Sequence, residues 1–358
     1  MSKRSSKRIA VIGSGALGGY VGGYLAHAGH DVTLVDFWPE HIETIRRQGL
    51  ELDGLTPDEQ FTVSRARTMH LTEVQQFARE RPIDIAFVAV KSYDTEWATA
   101  LVRPYLASDG YVVSLQNCLN EERIAGIVGW GKTVGMVASL ISVDLHEPGR
   151  IRRTMPKGGE KHTVFRVGEV HGRITRRVEE LRELVGLIDS ARTTTNLWGE
   201  RWSKLCQNGM SNGVSAATGL TGTDCHRNDV IRRFQIQLGG EAVRVGQALG
   251  YHIEKIGKME PETLARAAEG DSAALTEIEA VLRPAAGASA NPRADVQRPS
   301  MAQDILKGRR TEIEFMNGYI AERGRFIGVP APAHERLTEL VTQVERAQRV
   351  AAPSLLGG

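Results

Sequence analysis

Lys204, Asn208 and Asn212 stand four residues apart in the stretch WSKLCQNGMSNGVSAA, residues 202–217. On a helix that spacing stacks them in one line. One amine and two neutral amides then make a row of hydrogen-bonding groups able to face a polar ligand. The opposite face carries Trp202, Leu205, Cys206, Gly209, Gly213 and Ala216, an apolar, small-residue stripe suited to burial. Each Asn or Gly lowers helix propensity by roughly 0.5–1 kcal/mol relative to Ala, so something must offset them. A ligand along the polar row would do so; a loosely amphipathic surface helix is the plain alternative.

A second group of residues points to phosphate chemistry. The apolar run Arg8–Ile12 leads into Gly13, Ser14, Gly15, Ala16, Leu17 and Gly18, then a helical pattern through Ala28, then DVTLV ending at Asp36. Strand, glycine turn, helix, strand and acid are the parts of a dinucleotide-binding βαβ unit. Gly13 permits the tight turn, Gly15 admits a pyrophosphate to the backbone, and Gly18 lets the helix lie close to the sheet. The helix N-terminus supplies free N–H groups. A glycine-rich turn without a ligand is the competing reading. Asp36, 18 positions after Gly18, would accept hydrogen bonds from a ribose and repel a 2′-phosphate, which favours NAD(H) over NADP(H). It would otherwise be a loop residue or the cap of a helix beginning near Pro39. Phe37, Trp38 and Pro39 would wall an adenine or simply pack, and Gly19, Gly22 and Gly23 suit close helix packing.

The elements that must position these residues follow in order. A helix is expected over His41–Gln48, then short strands at Leu50–Leu52 and Phe61–Ser64. The run Asp84–Val90 is uninterruptedly apolar after its first residue, as in a strand buried on both faces, and it ends in Lys91. A helix over Thr95–Leu106 and a strand over Tyr111–Leu115 lead to Gln116 and Asn117. Ligands of open α/β sheets bind beyond the carboxyl ends of the strands, which puts Lys91 and Asn117 on the edge shared with the glycine loop. Thr133–Val143 reads as one strand, Ile151–Val170 as a hairpin with a glycine turn, Thr175–Leu187 as a helix and Arg192–Thr194 as a strand. The Trp198–Gly199 pair marks a boundary between a dinucleotide-binding domain, residues 1–198, and a helical substrate and catalytic domain, residues 199–358. Helices are expected there over Trp202–Ala217, Asp229–Leu249, Pro261–Gly270, Leu275–Leu282, Met301–Arg323 and His334–Arg349. The Pro- and Ala-rich stretch Pro284–Pro299 reads as a loop or lid.

The Met301–Arg323 helix would place Met301, Ile305, Gly308, Phe315 and Tyr319 on one side with Glu312 among them. A carboxylate in an apolar stripe pairs with a buried arginine or faces a cleft and meets a hydroxyl. Ser300, with Gln303 three residues on, fits a capping box; its hydroxyl beside free N–H groups also suits a carboxylate ligand. Asp304, Arg309 and Arg310 read as solvated.

Composition narrows the classes. The 358 residues suffice for two domains, and 41% hydrophobic with 25% charged residues is ordinary for a globular protein. A formal net charge of +2 gives no reason to invoke nucleic acid. The basic start reads as a frayed terminus; no apolar run of membrane-spanning length and no signal peptide are expected. Cys118, Cys206 and Cys225 are odd in number and far apart, which fits a reducing cytoplasm better than a disulfide framework. The ten histidines form no metal-ligand motif, so no metal is expected. Cys118 lacks a positioned partner for nucleophilic work.

These pieces in this order resemble the ketopantoate reductase (2-dehydropantoate 2-reductase) family. The resemblance rests on GSGALG at 13–18, VAVK at 88–91, LQN at 115–117, the Lys204–Asn208–Asn212 line and PSMAQDILKGRRTEIEFMNG at 299–318, and it spans nearly the whole chain. It implies an α/β fold, an N-terminal Rossmann domain followed by an all-helical C-terminal domain, with the active site between them. It places the general acid on Lys204, the substrate-binding glutamate on Glu312, further substrate contacts on Asn117, Asn208, Asn212 and Ser300, and the cofactor-side lysine on Lys91. Hydride transfer to a ketone carbon creates an alkoxide that needs positive charge and a proton, and a lysine supplies both. In reverse the neutral amine would be the base.

The implied activity is NAD(P)H-dependent reduction of a 2-keto acid, 2-dehydropantoate to pantoate, in pantothenate biosynthesis. Two departures bear on it. Biosynthetic members mostly use NADPH and carry a basic or neutral residue where this chain has Asp36, and the usual glycine after LQN is Cys118. Asp36 feeds an alternative, an NAD-dependent dehydrogenase of another branched or aromatic hydroxy acid in a catabolic route. A nucleotide-sensing protein without activity is a third reading, against which Lys204 and Glu312 together speak. The expected partner is a small keto or hydroxy acid, with neither nucleic acid nor membrane; a homodimer stays open.

Overall fold

Along β1 (Arg8–Ile12), Ile9 and Val11 enter one apolar layer and Ala10 and Ile12 the other, and none of the four is more than 1% exposed. Side chains alternate across a strand, so a strand covered on both faces must be apolar throughout. The structure, a computed structural model, describes residues 7–283 and 298–357. It forms two compact units that divide between Leu197 and Trp198. The expected loop at 284–299 lies, up to residue 297, outside the described residues, as does most of the basic start.

In the first unit, β1 is followed by α1 (Ala16–His27), β2 (Asp31–Asp36), α2 (Pro39–Gln48), β3 (Leu50–Asp53), β4 (Phe61–Val63) and β5 (Arg67–His70). Then come β6 (Ile83–Val88), α3 (Thr95–Val102), β7 (Leu106–Ser114), α4 (Glu121–Val128), β8 (Thr133–Ala138), β9 (Val143–Glu147), β10 (Arg150–Arg153), β11 (Phe165–Glu169), α5 (Arg176–Gly186) and β12 (Ala191–Thr193). The large sheet has the order β12-β11-β8-β7-β6-β1-β2-β5. From β5 to β8 all pairs are parallel, which is the 3-2-1-4-5-6 winding of a Rossmann fold. The helix over residues 95–106 ends early, at Val102, and the chain is already extended at Leu106.

Two local readings give way to long-range pairing. Thr133–Val143 is not one strand: the chain leaves β8 and turns at Leu140, whose φ of +55° no pleated strand can hold, before β9 begins. Ile151–Val170 is not a hairpin. β10 pairs with β3 and β9 in a separate four-stranded sheet, β4-β3-β10-β9, whereas β11 pairs with β8 and β12 in the large one. The hairpin is β9–β10, turning at Gly149 with φ +74°. The segment between β10 and β11 is pinned by Asp189, which accepts from fully buried Arg153 at 2.6 Å and from the Gly158 N–H at 2.8 Å. β5, unanticipated in so short and polar a stretch, extends the parallel sheet beyond β2.

The second unit is helical among its described residues. Its helices are α6 (Leu197–Thr218, which opens at the last residue of the first unit), α7 (Gly222–Arg227), α8 (Asp229–Ala248), α9 (Pro261–Ala268), α10 (Ser272–Leu282), α11 (Ser300–Leu306), α12 (Asn317–Ile327) and α13 (Pro332–Glu345). Buried Trp202 of α6 lies against Gly246 of α8, where a Cβ would stand 2.1 Å from the indole nitrogen. Only glycine allows that approach, and the indole N–H donates to the Ala242 carbonyl at 2.9 Å. No helix of the described residues is long and apolar enough to cross a membrane.

The expected Met301–Arg323 helix is two helices with a break. α11 stops after Leu306, where Gly308 takes a φ of +62° and the Arg309 N–H reaches the Asp304 carbonyl at 2.8 Å. Thr311 is drawn away by Glu345, whose Oε2 accepts from its N–H at 2.8 Å and its hydroxyl at 2.6 Å. A short 3-10 turn, Ile313–Phe315, then precedes α12. The single apolar stripe from Met301 to Tyr319 therefore does not exist. Asp304, expected in solvent, is buried.

Candidate functional site

The first unit carries one set of the expected residues. Gly13 has φ +94°, and a Cβ there would lie 2.8 Å from the Val90 nitrogen, so only glycine fits the turn. At Gly18 a Cβ would stand 2.0 Å from the Gly13 carbonyl oxygen, whereas at Gly15 it would meet nothing within 4 Å. Crowding on two sides and open space at the middle glycine are what a loop presenting its backbone to a phosphate requires. Ser14 is wholly buried, while Gly15, Ala16 and Leu17 are half-buried. Gly22 and Gly23, as expected, serve packing: a Cβ there would meet Leu34 at 2.4 Å and Leu50 at 2.9 Å.

Asp36 ends β2 and is buried. It accepts from the Trp38 N–H at 3.0 Å and from the Ser14 hydroxyl at 3.3 Å. It is not the cap of α2, since Trp38 holds that position without a side-chain cap bond. Phe37 is exposed, and Trp38 stacks on His41 at 5.8 Å between ring centroids.

Lys91 and Asn117, both half-buried, follow β6 and β7, the next two strands of the sheet after β1. Their loops are tied together. Gln116 donates to the Val90 carbonyl and the Thr95 hydroxyl, both at 2.8 Å, and Asn120 donates to the Asn117 carbonyl at 2.8 Å and to Ser92 Oγ at 3.1 Å. Cys118 is buried with φ +64°, a left-handed backbone where glycine carries no steric penalty.

The second unit carries the other set. α6 presents half-buried Lys204 and buried Asn208 and Asn212 along one line. The turn bearing buried Glu312 packs on the same helix: the Asn212 amide meets Met316 Sδ at 3.6 Å, and a Cβ on Gly213 would lie 3.1 Å from Ile313 Cδ1. The structure thus brings the turn that bears Glu312 against α6 at Asn212, one helical turn beyond Asn208. Ser300 begins α11 and is half-buried, but the expected capping box is absent. Pro299 is the N-cap residue, no side chain caps the helix, and the Gln303 amide turns to the Arg298 carbonyl at 2.9 Å. Arg298 in turn donates to the Gly219 carbonyl at 3.2 Å, just past the end of α6.

Residues without a periodic signal of their own hold these elements in place. Carbonyls of α6 at Gly209 and Met210 accept side-chain amides from Asn317, at 2.9 Å, and Gln235, at 3.0 Å. Close packing and these bonds offset the poor helix propensity of the segment. In the first unit, His41 bonds the Ser14 carbonyl. An isolated His or Asn on a mostly polar helix gives no periodic signal, and only burial reveals its part. Among the described residues no group of three His, Cys, Asp or Glu could hold a metal ion, and the three cysteines are buried.

Comparison with known proteins agrees with the motifs. The 2-dehydropantoate 2-reductase of Pyrococcus horikoshii is 27% identical over 341 residues, 94% of this chain and 97% of that protein. A PanE/ApbA family ketopantoate reductase from Ralstonia eutropha, known from its crystal structure, aligns with a TM-score of 0.74 at 26% identity, covering 95% of this chain and 99% of that one. A D-mandelate dehydrogenase solved with NADH and anilino(oxo)acetate also aligns at 0.74, but at 20% identity, covering 95% of this chain and 98% of that one, and shows the shared fold alone. The family model described as ketopantoate reductase PanE/ApbA matches residues 9–164, and that for the C-terminal part of the same family matches residues 196–345. On these matches, which together take in most of the chain, the protein belongs to the ketopantoate reductase family.

Proposed function

We propose that this chain reduces 2-dehydropantoate to pantoate with a nicotinamide dinucleotide. The observation that carries the reading is the packing of the Glu312 turn against the helix that displays Lys204, Asn208 and Asn212. When bound, the dinucleotide supplies the hydride. The loop of Gly13, Ser14, Gly15, Ala16, Leu17 and Gly18 would hold its pyrophosphate, Gly13 by shaping the turn while its own N–H donates to the Val35 carbonyl at 2.9 Å and the residues after it by offering backbone N–H groups, with Lys91 and Asn117 on the same sheet edge. Lys204 donates the proton that the ketone oxygen needs as it becomes an alkoxide. Asn208, Asn212 and Ser300 hold the carboxylate and hydroxyl of the keto acid. Glu312 accepts from the substrate hydroxyl and fixes its orientation.

The cofactor we assign is NADH in preference to NADPH. Asp36 is a carboxylate at the end of β2, buried and held in place by the Trp38 N–H and the Ser14 hydroxyl. In that position it suits a ribose 2′-hydroxyl and repels a 2′-phosphate.

Steady-state reduction of 2-dehydropantoate with each nucleotide, by wild type and Lys204→Ala, tests the assignment. The variant is expected to lose about a hundred- to ten-thousandfold in kcat, the range for a general acid, while its nucleotide affinity stays unchanged. Equal turnover by the two proteins would remove Lys204 from the chemistry.

A further inference from the structure

His41 lies on α2, is wholly buried, and joins three segments of the first unit. Its Nδ1 stands 2.9 Å from the Gly149 nitrogen, and its Nε2 stands 3.0 Å from the Ser14 carbonyl oxygen. The backbone N–H can only donate, so Nδ1 is the acceptor. The carbonyl can only accept, so the single ring proton sits on Nε2. One neutral tautomer satisfies both partners, and no other form of the ring does. The turn at Gly149 is pressed on α2 as well, since a Cβ there would lie 2.8 Å from Thr44 Cγ2. Trp38 covers the ring on one side. Asp36 is the charged group that faces it, and that same carboxylate takes the Ser14 hydroxyl.

We propose that His41 is a positioning residue for the cofactor: a neutral imidazole strut between the β9–β10 turn and the Ser14 carbonyl that holds the glycine loop in its nucleotide-binding form. The proposal rests on the reading of that loop as a dinucleotide site. Without the strut, two buried backbone groups lose their partners, and the loop must shift to reach water. Protonation has the same effect, because a ring with two N–H groups points one donor at another. Burial lowers the pKa of the ring below its usual 6.5, although Asp36 and the Ser14 carbonyl oppose that shift. Nucleotide affinity is therefore full at neutral pH and falls as the pH drops below that lowered value.

The test is calorimetric titration of NAD+ into wild type, His41→Phe and Ile45→Ala between pH 7 and pH 5, with Tm recorded for each. Ile45, also on α2, packs into the apolar core and has no part in the strut. His41→Phe is expected to weaken NAD+ binding about tenfold, with kcat at saturating nucleotide within about twofold of wild type. The wild-type Kd should rise on acidification and that of His41→Phe should not. Ile45→Ala should lower Tm and leave Kd alone. A His41→Phe Kd equal to that of wild type, the same acid dependence in both, or an equal weakening by Ile45→Ala would overturn the proposal. Should His41→Phe fail to fold, His41→Leu takes its place, and a Kd at pH 7 equal to that of wild type overturns the proposal. Wild type that binds no nucleotide at any pH removes the cofactor reading itself, and the strut with it.

Discussion

Asn317 donates from Nδ2 to the carbonyl of Gly209, 2.9 Å away in space and 108 residues away along the chain. The same amide stands 3.0 Å from Nδ1 of His334, whose Nε2 stands 2.8 Å from the Leu238 carbonyl. That carbonyl can only accept, so Nε2 carries the proton and Nδ1 accepts from Asn317. α6, α8, α12 and α13 thus meet in one buried polar chain beside Asn208. Asn317→Ala would strand His334 Nδ1 and open a small cavity, and is expected to destabilise the protein by about 2–4 kcal/mol. Urea unfolding measures it; a change under about 0.5 kcal/mol would mean that the amide carries no weight.

His334 also makes stability depend on pH. Burial lowers its pKa to about 4 from the ordinary histidine value of 6.5. A depressed pKa stabilises the folded state fully above the unfolded value, and that contribution is lost as the pH falls from 6.5 through about 4. The shift corresponds to at most about 3 kcal/mol. Urea midpoints of wild type and His334→Phe should therefore converge as the pH is lowered through this window. A gap that stays constant would assign the acid sensitivity to other groups.

Cys118 holds a left-handed backbone beside Asn117. Glycine there would relieve about 1–2 kcal/mol of strain. It would also lose the burial of a side chain, worth roughly 0.8 kcal/mol per CH₂, and add freedom to the unfolded chain. Cys118→Gly is expected to lie within about 1 kcal/mol of wild type on these opposing terms. Cys118→Val, branched at Cβ, should be less stable than either. Thermal unfolding of the three proteins gives the order, and a valine variant as stable as wild type would contradict it.

Asp36→Ala removes the carboxylate that would repel a 2′-phosphate. The ratio of kcat/KM with NADH to that with NADPH is expected to fall by about ten- to a hundredfold, the scale of one like-charge contact near a protein surface. The lost bond from the Trp38 N–H should also lower stability by about 1 kcal/mol. An unaltered ratio would place Asp36 away from the ribose.

What the amino-acid order determined by itself is the local, repeating part. β1 is legible at Arg8–Ile12 because an apolar run leading into a glycine turn marks a buried strand, and the Lys204–Asn208–Asn212 line because residues four apart on a helix share a face whatever surrounds them. The glycines at 13 and 18 were legible for the same reason: their demand on the backbone is steric and immediate.

Tertiary structure decided wherever a distant partner outbids local preference. Residues 301–323 keep a helical period, yet Glu345 draws Thr311 out of it from 34 residues away. Asp304 is polar and sits on a helix, yet it is buried. The break at Leu140 sends one apparent strand into two sheets. His41 and Asn317 act through backbone groups remote in the chain, and a pattern of residue types holds no record of such bonds. They exist because a buried N–H or carbonyl must find a partner, and which partner it finds depends on how the whole chain packs.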